Sequence, residues 1–309
     1  MMVYCQANFL KGAGLGTRLF TWARCVIFSH TTTVPMLTPQ WIQPRIGPLL
    51  RGGIDLGAYH RQILLLGLFQ RRTQEIAGLK KLYIKTRAQE VEAPAKPDQP
   101  YQRIGSTTAA IVTFRGVGAM FEELDGWDQF LRTELEKITQ KKWLDLSATF
   151  GSVPIGINVR MGNDFKQAQS PQDYYTKGAI KTPLPWFVDT LQAIRNSIGY
   201  PASAVVVSDG SYEDLQPLLT LENVRFVRPG CAISDLYILS NTKVLIASGA
   251  SSFSAWAAFL GQMPAVSHPG QPLNWFKLRN RHGHYVDEFD PATPSSLFLE
   301  QANAILRTS

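Results

Sequence analysis

The sequence predicts an α/β protein built on parallel sheet, and three observations predict it. Between Pro154 and Ser267, short apolar runs alternate with segments of helical spacing. The runs, such as Ala204-Val205-Val206-Val207, are apolar throughout, as strands covered on both faces are. Near the N-terminus a strand-like segment enters a glycine turn and then a helix-like one. Repeated strand–helix alternation implies right-handed crossovers, with ligands bound at the C-terminal ends of the strands.

In chain order, Val3 to Phe9 reads as a strand and Gly12-Ala13-Gly14-Leu15-Gly16 as the turn. Thr17 to Phe28 reads as a helix with Leu19, Phe20, Ala23, Val26 and Ile27 on one side. Residues 31–57, rich in Pro and Gly, read as loop. Tyr59 to Phe69 and Trp127 to Thr139 have helical spacing, Glu90 to Tyr101 reads as an exposed loop, and Ala109 to Phe114 reads as a strand. A domain boundary is expected near Ser147 to Pro154. Beyond it, Pro154 to Val159 is a strand, Trp186 to Ser197 a helix and Ala204 to Val207 a strand. Tyr212 to Leu219 is a polar helix and Asn223 to Val227 a strand. Ile233 to Ser240 is a helix, Lys243 to Ala247 a strand, Ser252 to Leu260 a helix and Pro264 to Ser267 a strand. A last helix covers Ser295 to Leu306, giving domains 1–150 and 151–285 and a C-terminal segment 286–309.

The chain has 309 residues, of which 45% are apolar and 18% charged, with a net charge of +7. This is globular composition, not that of a disordered or fibrous chain. The charge is uneven: residues 1–92 carry twelve basic and four acidic groups, whereas the other 217 are close to neutral. A basic third invites an anionic partner. Cys5, Cys25 and Cys231 are odd in number and widely separated, so they suggest neither a disulfide framework nor a metal pair, and favour a reducing cytoplasm. The N-terminus lacks the pattern of a secretory signal. Val244 to Val266 is uncharged and long enough to span a bilayer. Its serines, glycines and Pro264 instead read as buried strand, loop and helix.

Three segments carry candidate chemistry. The glycine turn lets backbone approach a ligand at a helix N-terminus, with Arg18 beside it. A dinucleotide site would want an acid about 20 residues later, but the first acid in the chain is Asp55. A plain turn and a sugar- or phosphate-touching loop remain open. Asn158-Val159-Arg160-Met161-Gly162-Asn163-Asp164 leaves a strand at the end where ligands bind. There the fork of Arg160 suits a phosphate or a salt bridge to Asp164. Ala247 to Ser254 joins a strand to a helix. Capping explains one of its serines, and the others suit a phosphate at a helix N-terminus. Asp209 and Asp235 read as turn or capping residues, or as carboxylates that could bind the adjacent donors of guanine. His282 and His284 read as surface residues.

The segments GAGLGTRLF, NVRMGND, VVVSDG and ISDLYILSNTKVLIASGASSFSAWAAFLG resemble those of bacterial α-1,2-fucosyltransferases and the wider GDP-fucose-dependent fucosyltransferase superfamily. The resemblance runs over residues 12 to 261, and its last motif is the most specific. It implies a GT-B fold, two Rossmann-like domains facing across a cleft. The N-terminal domain would lie on the acceptor side and the C-terminal one would bind the nucleotide sugar. It implies an inverting, metal-independent transfer of fucose from GDP-fucose to a glycan hydroxyl in polysaccharide biosynthesis, without a cofactor. That agrees with the absence of a DxD triplet from the sequence. Arg160 would contact the diphosphate, and Ser251, Ser252 and Phe253 would line the phosphate and sugar end. Asp235 would read guanine and Asp209 would lie by the base or ribose. Gly14, Gly16 and Asn158 complete the set. Asn158 stands where the family has His, Met161 replaces a second Arg, and Asn163 stands near the family's Asp, with Asp164 one residue on.

Asp55, Glu122 and Glu123 are candidates for the general base, and Asp55 is preferred because a Gly-rich loop, residues 47–53, precedes it. The rival reading is a non-catalytic module that binds a membrane or nucleic acid through the basic third. Arg71-Arg72, Lys80-Lys81 and the apolar run Ile63 to Phe69 suit a lipid surface. No stacking motif or zinc pattern supports nucleic acid. The expected location is cytoplasmic, with peripheral contact at the inner face of the membrane and a lipid-linked glycan among the acceptors considered.

Overall fold

The computed structural model describes residues 2–41, 67–72, 74–101, 109–162, 164–228 and 230–307. Asp55, the Gly-rich loop 47–53, Asn163 and most of the expected helix 59–69 lie outside the described residues. The chain divides into two compact units, Met1–Trp143 and Leu144–Ser309.

In the first unit, β1 (Val3–Asn8), β2 (Met36–Leu37), β3 (Gln89–Glu92) and β4 (Ala110–Arg115) form a parallel sheet in the order β2-β1-β4-β3. The central pair, β1 and β4, is buried along most of its length, which accounts for the continuous apolar runs. Helix α1 (Leu15–Thr32) follows β1 and is buried around most of its circumference from Leu15 to Phe28. It extends beyond the expected span at both ends. Helices α2 (Gly78–Arg87), α3 (Asp128–Ile138) and α4 (Lys141–Ala148) follow, the division between the units falling within α4.

Two short strands depart from the expected loops, and a helix forms where no element was expected. β2 contributes only two paired residues, Met36 and Leu37. β3 overlaps the start of the stretch expected to be an exposed loop, 90–101. It is an edge strand in which only Val91 is buried, and its Glu90 and Glu92 are both bound by Arg115. Such a strand has no apolar run to announce it. In α2 only Ile84 is buried, so the helix carries no core-facing stripe. The 67–69 end of the expected helix 59–69 is instead a turn, with Phe69 bridged to Thr139.

The second unit is a six-stranded, all-parallel sheet. Its strands are β5 (Ile155–Val159), β6 (Ala204–Ser208), β7 (Val224–Phe226), β8 (Val244–Ala247), β9 (Ala265–Ser267) and β10 (Val286–Glu288). Their order, β10-β9-β8-β5-β6-β7, is that of a doubly wound nucleotide-binding sheet. Helices α5 (Leu184–Ile198) and α8 (Ser296–Arg307) pack together, with Phe187, Leu191, Ile194, Phe298 and Leu306 meeting Ile155, Ile157 and Val206 in one core. α6 (Ala232–Ser240) packs against α7 (Ser252–Gly261). The expected helix 212–219 is helical only over Gln216–Leu219. Pro217 fits the first turn of a helix but not its interior, so the helix starts beside it.

The uncharged stretch 244–266 is β8, a loop, α7 and the start of β9. Both β8 and the body of α7 are buried. A helix apolar on all sides is what an interior position requires. Among the described residues, no helix is long and apolar enough to cross a membrane.

Candidate active site

The order of strands outward from β5 reverses between β5 and β8, and the crevice at their C-terminal ends is where such sheets bind ligands. The two strand ends are tied together there. The Ser248 N–H donates to the Asn158 carbonyl at 2.9 Å, and the Arg160 N–H donates to Ser248 Oγ at 2.8 Å. Asn158 is only 2% exposed, and its amide faces protein. Oδ1 accepts from Ser254 Oγ at 2.7 Å, and Nδ2 donates to the Val207 carbonyl at 3.4 Å. One side chain thus joins β5, β6 and α7.

Arg160 leaves β5 with its guanidinium between two carboxylates, Nη1 at 3.0 Å from Asp209 and Nη2 at 2.8 Å from Asp164. It also lies over the Phe165 ring, 5.1 Å from the centroid. The salt bridge to Asp164 is therefore formed, and Asp209 adds a second. Asp209 is half a loop clamp as well: its Oδ1 accepts from the N–H groups of Met161 (2.6 Å) and Gly162 (3.2 Å). The fork is held at a strand end by partners that a diphosphate can replace, because carboxylate and phosphate match the same donor geometry.

The loop from β8 to α7 leaves the adjoining strand end. Ser251 is the N-cap of α7, its Oγ accepting from the Ser254 N–H at 3.3 Å. Ala250 before it is left-handed, at φ 51°, a conformation that costs a non-glycine residue about 1 kcal/mol. The first N–H groups of α7, on Ser252 and Phe253, have no acceptor within the helix by its geometry, and both side chains are half-buried. An array of helix-start amides beside a cation is a site for an anion. Gly249 gives the loop its close approach to Gln271. An added Cβ would stand 2.2 Å from Gln271 Cβ and 2.4 Å from its carbonyl oxygen. Gly249→Ala is expected to destabilise the second unit by about 1–3 kcal/mol, read as a lower urea midpoint with unchanged slope.

Asp235 occupies the first turn of α6. Its Oδ1 is buried and has no hydrogen-bond partner among the described residues. It lies against Gly230, where an added Cβ would come within 2.2 Å of it. Burial pushes the carboxyl up to about 7, against the opposing pull of Arg228. Arg228 in turn donates to the Gly210 carbonyl at 2.7 Å, next to Asp209. The unit therefore keeps a buried carboxyl oxygen without a hydrogen-bond partner among the described residues, at the same sheet edge as Arg160. Leaving such an atom without a partner costs stability.

Arg228, Thr182 and Gln271 escaped the sequence reading. Thr182 Oγ1 accepts from the Gly249 N–H at 3.4 Å, and Gln271 Nε2 holds the carbonyls of Tyr174 and Lys177. All three act from outside the motifs, and no spacing marks them.

In the first unit, Gly14 is the exposed N-cap of α1, and Gly16 is buried in its first turn. Arg18, expected beside a ligand loop, turns inward instead. It is 1% exposed and donates to the carbonyls of Ala13 (2.9 Å) and Trp41. Its planar fork closes the glycine turn from beneath. Glu123 is committed to Arg24 at 2.6 Å and to the Ala119 N–H, while Glu122 is exposed. Among the described residues, no group of three or more His, Cys, Asp or Glu could hold a metal ion.

No family model and no curated protein matches the sequence. Solved structures match the fold. The NodZ α-1,6-fucosyltransferase soaked with GDP-fucose aligns at a TM-score of 0.50 and 14% identity, covering 87% of this chain and 94% of NodZ. The same enzyme co-crystallised with GDP aligns at 0.51 and 14% identity, covering 86% and 94%. NodZ from Bradyrhizobium aligns at 0.49 and 14% identity, covering 87% and 96%. At this identity the likeness is one of architecture: the chain has the α/β fold of the GT-B fucosyltransferases, with a parallel sheet in each unit.

Proposed function

We propose that the chain is an inverting, metal-independent glycosyltransferase that moves fucose from GDP-fucose to a glycan hydroxyl. One observation carries this reading. A charged fork, an amide-bearing helix start and a carboxyl with one buried oxygen that has no partner among the described residues lie along the C-terminal edge of a single doubly wound sheet. These are the complements of a diphosphate and of a base with adjacent N–H donors. The fold shared with NodZ, whose crystals were soaked with GDP-fucose, supports the choice of donor.

In the reaction, the acceptor oxygen attacks the anomeric carbon from the face opposite GDP. The new C–O bond forms as the bond to the β-phosphate oxygen breaks, and GDP leaves with the electron pair. Arg160 and the first amides of α7 take up the charge that develops on the β-phosphate, an electrostatic stabilisation set up in advance. Asn158 and Asp209 keep the Arg160 loop in place. The acceptor proton passes to a carboxylate, for which we propose Asp55. We place the reaction in the cytoplasm and assign its product to polysaccharide assembly.

Thermal unfolding with GDP, UDP, ADP, NAD or duplex DNA tests the donor site. GDP at about a hundred times its Kd is expected to stabilise by about 2.7 kcal/mol, and the other ligands by much less. Transfer from GDP-fucose is expected to persist in EDTA. A chain that ignores GDP and binds DNA in a salt-sensitive way would be the rival anion-binding module.

A further inference from the structure

The basic third of the chain contains a surface that the proposed chemistry does not use. Helix α2, GLKKLYIKTR, buries a single residue, Ile84. Its larger apolar side chains face solvent instead: Leu79 is 85% exposed, Leu82 60% and Tyr83 64%. With Thr86 these occupy positions i, i+3, i+4 and i+7, so they form one stripe along the helix. Scattered exposed leucines are ordinary on a protein surface, but a contiguous ridge is not. The helical period sets Lys85 on one flank of the ridge and Lys80 and Arg87 on the other. All three are exposed, and Arg87 lies over the Tyr83 ring, 5.7 Å from its centroid. No acid occurs from Ile76 to Gln89. The nearest acids along the chain are engaged: Glu75 is buried, and Glu90 and Glu92 are bound by Arg115.

We propose that the exposed face of α2 docks on an anionic lipid bilayer. Leu79, Leu82 and Tyr83 enter the headgroup–acyl boundary, and Lys80, Lys85 and Arg87 lie among the lipid phosphates. An apolar ridge flanked by long cations is the pattern of a helix that lies in a membrane interface. The cations run their carbon stems along the apolar surface and keep their charges at headgroup level, and Tyr suits the same depth. Two alternatives fit the chemistry poorly. A second copy docking face to face would set three cations against the same three cations. A nucleic acid would engage the cations but leave the leucines without apolar contact. The proposal concerns the first unit alone and is independent of the donor site.

Flotation of the full chain tests it, with vesicles of phosphatidylcholine alone or mixed equally with phosphatidylglycerol. Binding is expected on the mixed vesicles at low salt and at least about tenfold weaker on phosphatidylcholine. Each change Lys80→Gln, Lys85→Gln or Arg87→Gln is expected to weaken it about fivefold, and Leu79→Ser with Leu82→Ser about tenfold or more. Every position changed is exposed, so melting temperatures and the GDP response are expected to stay at wild-type values. Equal binding to both vesicle types, or wild-type binding by the leucine variant, would overturn the proposal. So would a concentration-dependent dimer in sedimentation that the leucine variant abolishes. Binding of duplex DNA that exceeds vesicle binding at matched phosphate and ignores the leucines would overturn it as well.

Discussion

Asp235→Asn is expected to raise the stability of the free protein at pH 8 while removing most of its affinity for GDP-fucose. The carboxyl titrates at about 7 in the folded chain, against an ordinary 3.8, because burial disfavours its charge. The folded state therefore holds a proton that the unfolded chain has released, and it does so between about pH 4 and pH 7. The stability this proton contributes is present below the lower value, declines as pH rises, and is lost above the upper one. At pH 8 the wild-type chain carries a buried charge, only partly offset by Arg228, that costs at most about 4 kcal/mol. Asn removes the charge, so the variant gains at pH 8 relative to its own stability difference at pH 5. Binding runs the other way. A guanine N1–H and amine would donate to the ionised carboxylate, and hydrogen bonds to charged groups are worth about 1.5–3 kcal/mol. Loss of affinity by about tenfold to a hundredfold follows. Wild-type affinity for GDP-fucose is expected to weaken below pH 7, by up to about tenfold per unit, and the variant's to stay flat. Calorimetric titration of both proteins from pH 5 to 8 checks this. Equal affinity of the two at pH 8 would refute the guanine role.

Arg160→Ala carries the second large effect, a fall in kcat of about a hundred- to a thousandfold with little change in KM. In the proposed mechanism the guanidinium would act on charge that grows as the glycosidic bond breaks, so its removal would fall on the transition state. The loop is expected to survive the change, because Asp209 still accepts the N–H groups of Met161 and Gly162. Arg160→Lys keeps a charge but not the fork, and an intermediate loss of about tenfold or more is expected. GDP release measured under saturating donor separates the cases. A reduction smaller than about threefold in the alanine variant would place the leaving-group charge elsewhere.

The second unit was more legible in the sequence than the first, for physical reasons. Strands buried on both faces, such as Ala204-Val205-Val206-Val207, have to be apolar throughout, and helices covered on one side repeat at 3.6. The Ile155–Val159 and Val244–Ala247 strands announced themselves in the first way and the helix 184–198 in the second. β3 did not, because an edge strand with one buried residue has no such pattern. Nor did α2, which buries only Ile84 and leaves Leu79, Leu82 and Tyr83 exposed. The positions of Arg160, Ser251 and Asp235 at a strand end and at two helix starts were visible because those junctions are marked in the sequence. The double hold of Asp164 and Asp209 on Arg160 was only half visible: the first partner is four residues away, the second forty-nine. Gln271 and Arg228 were hidden for the same reason, since contacts made through the fold leave no mark in local spacing.

The burial of α7 bears on how a ligand would be received. A segment sealed in the interior opens only when most of its unit unfolds, whereas loops and termini open readily. The serine wall at residues 248–252 grows directly from two such sealed elements, β8 and α7, and is cross-tied to β5 through Asn158. Its amides are thus already oriented before any anion arrives. For the proposed diphosphate, little configurational freedom would remain to be surrendered there on association, and affinity would reflect contacts more than the cost of ordering the loop.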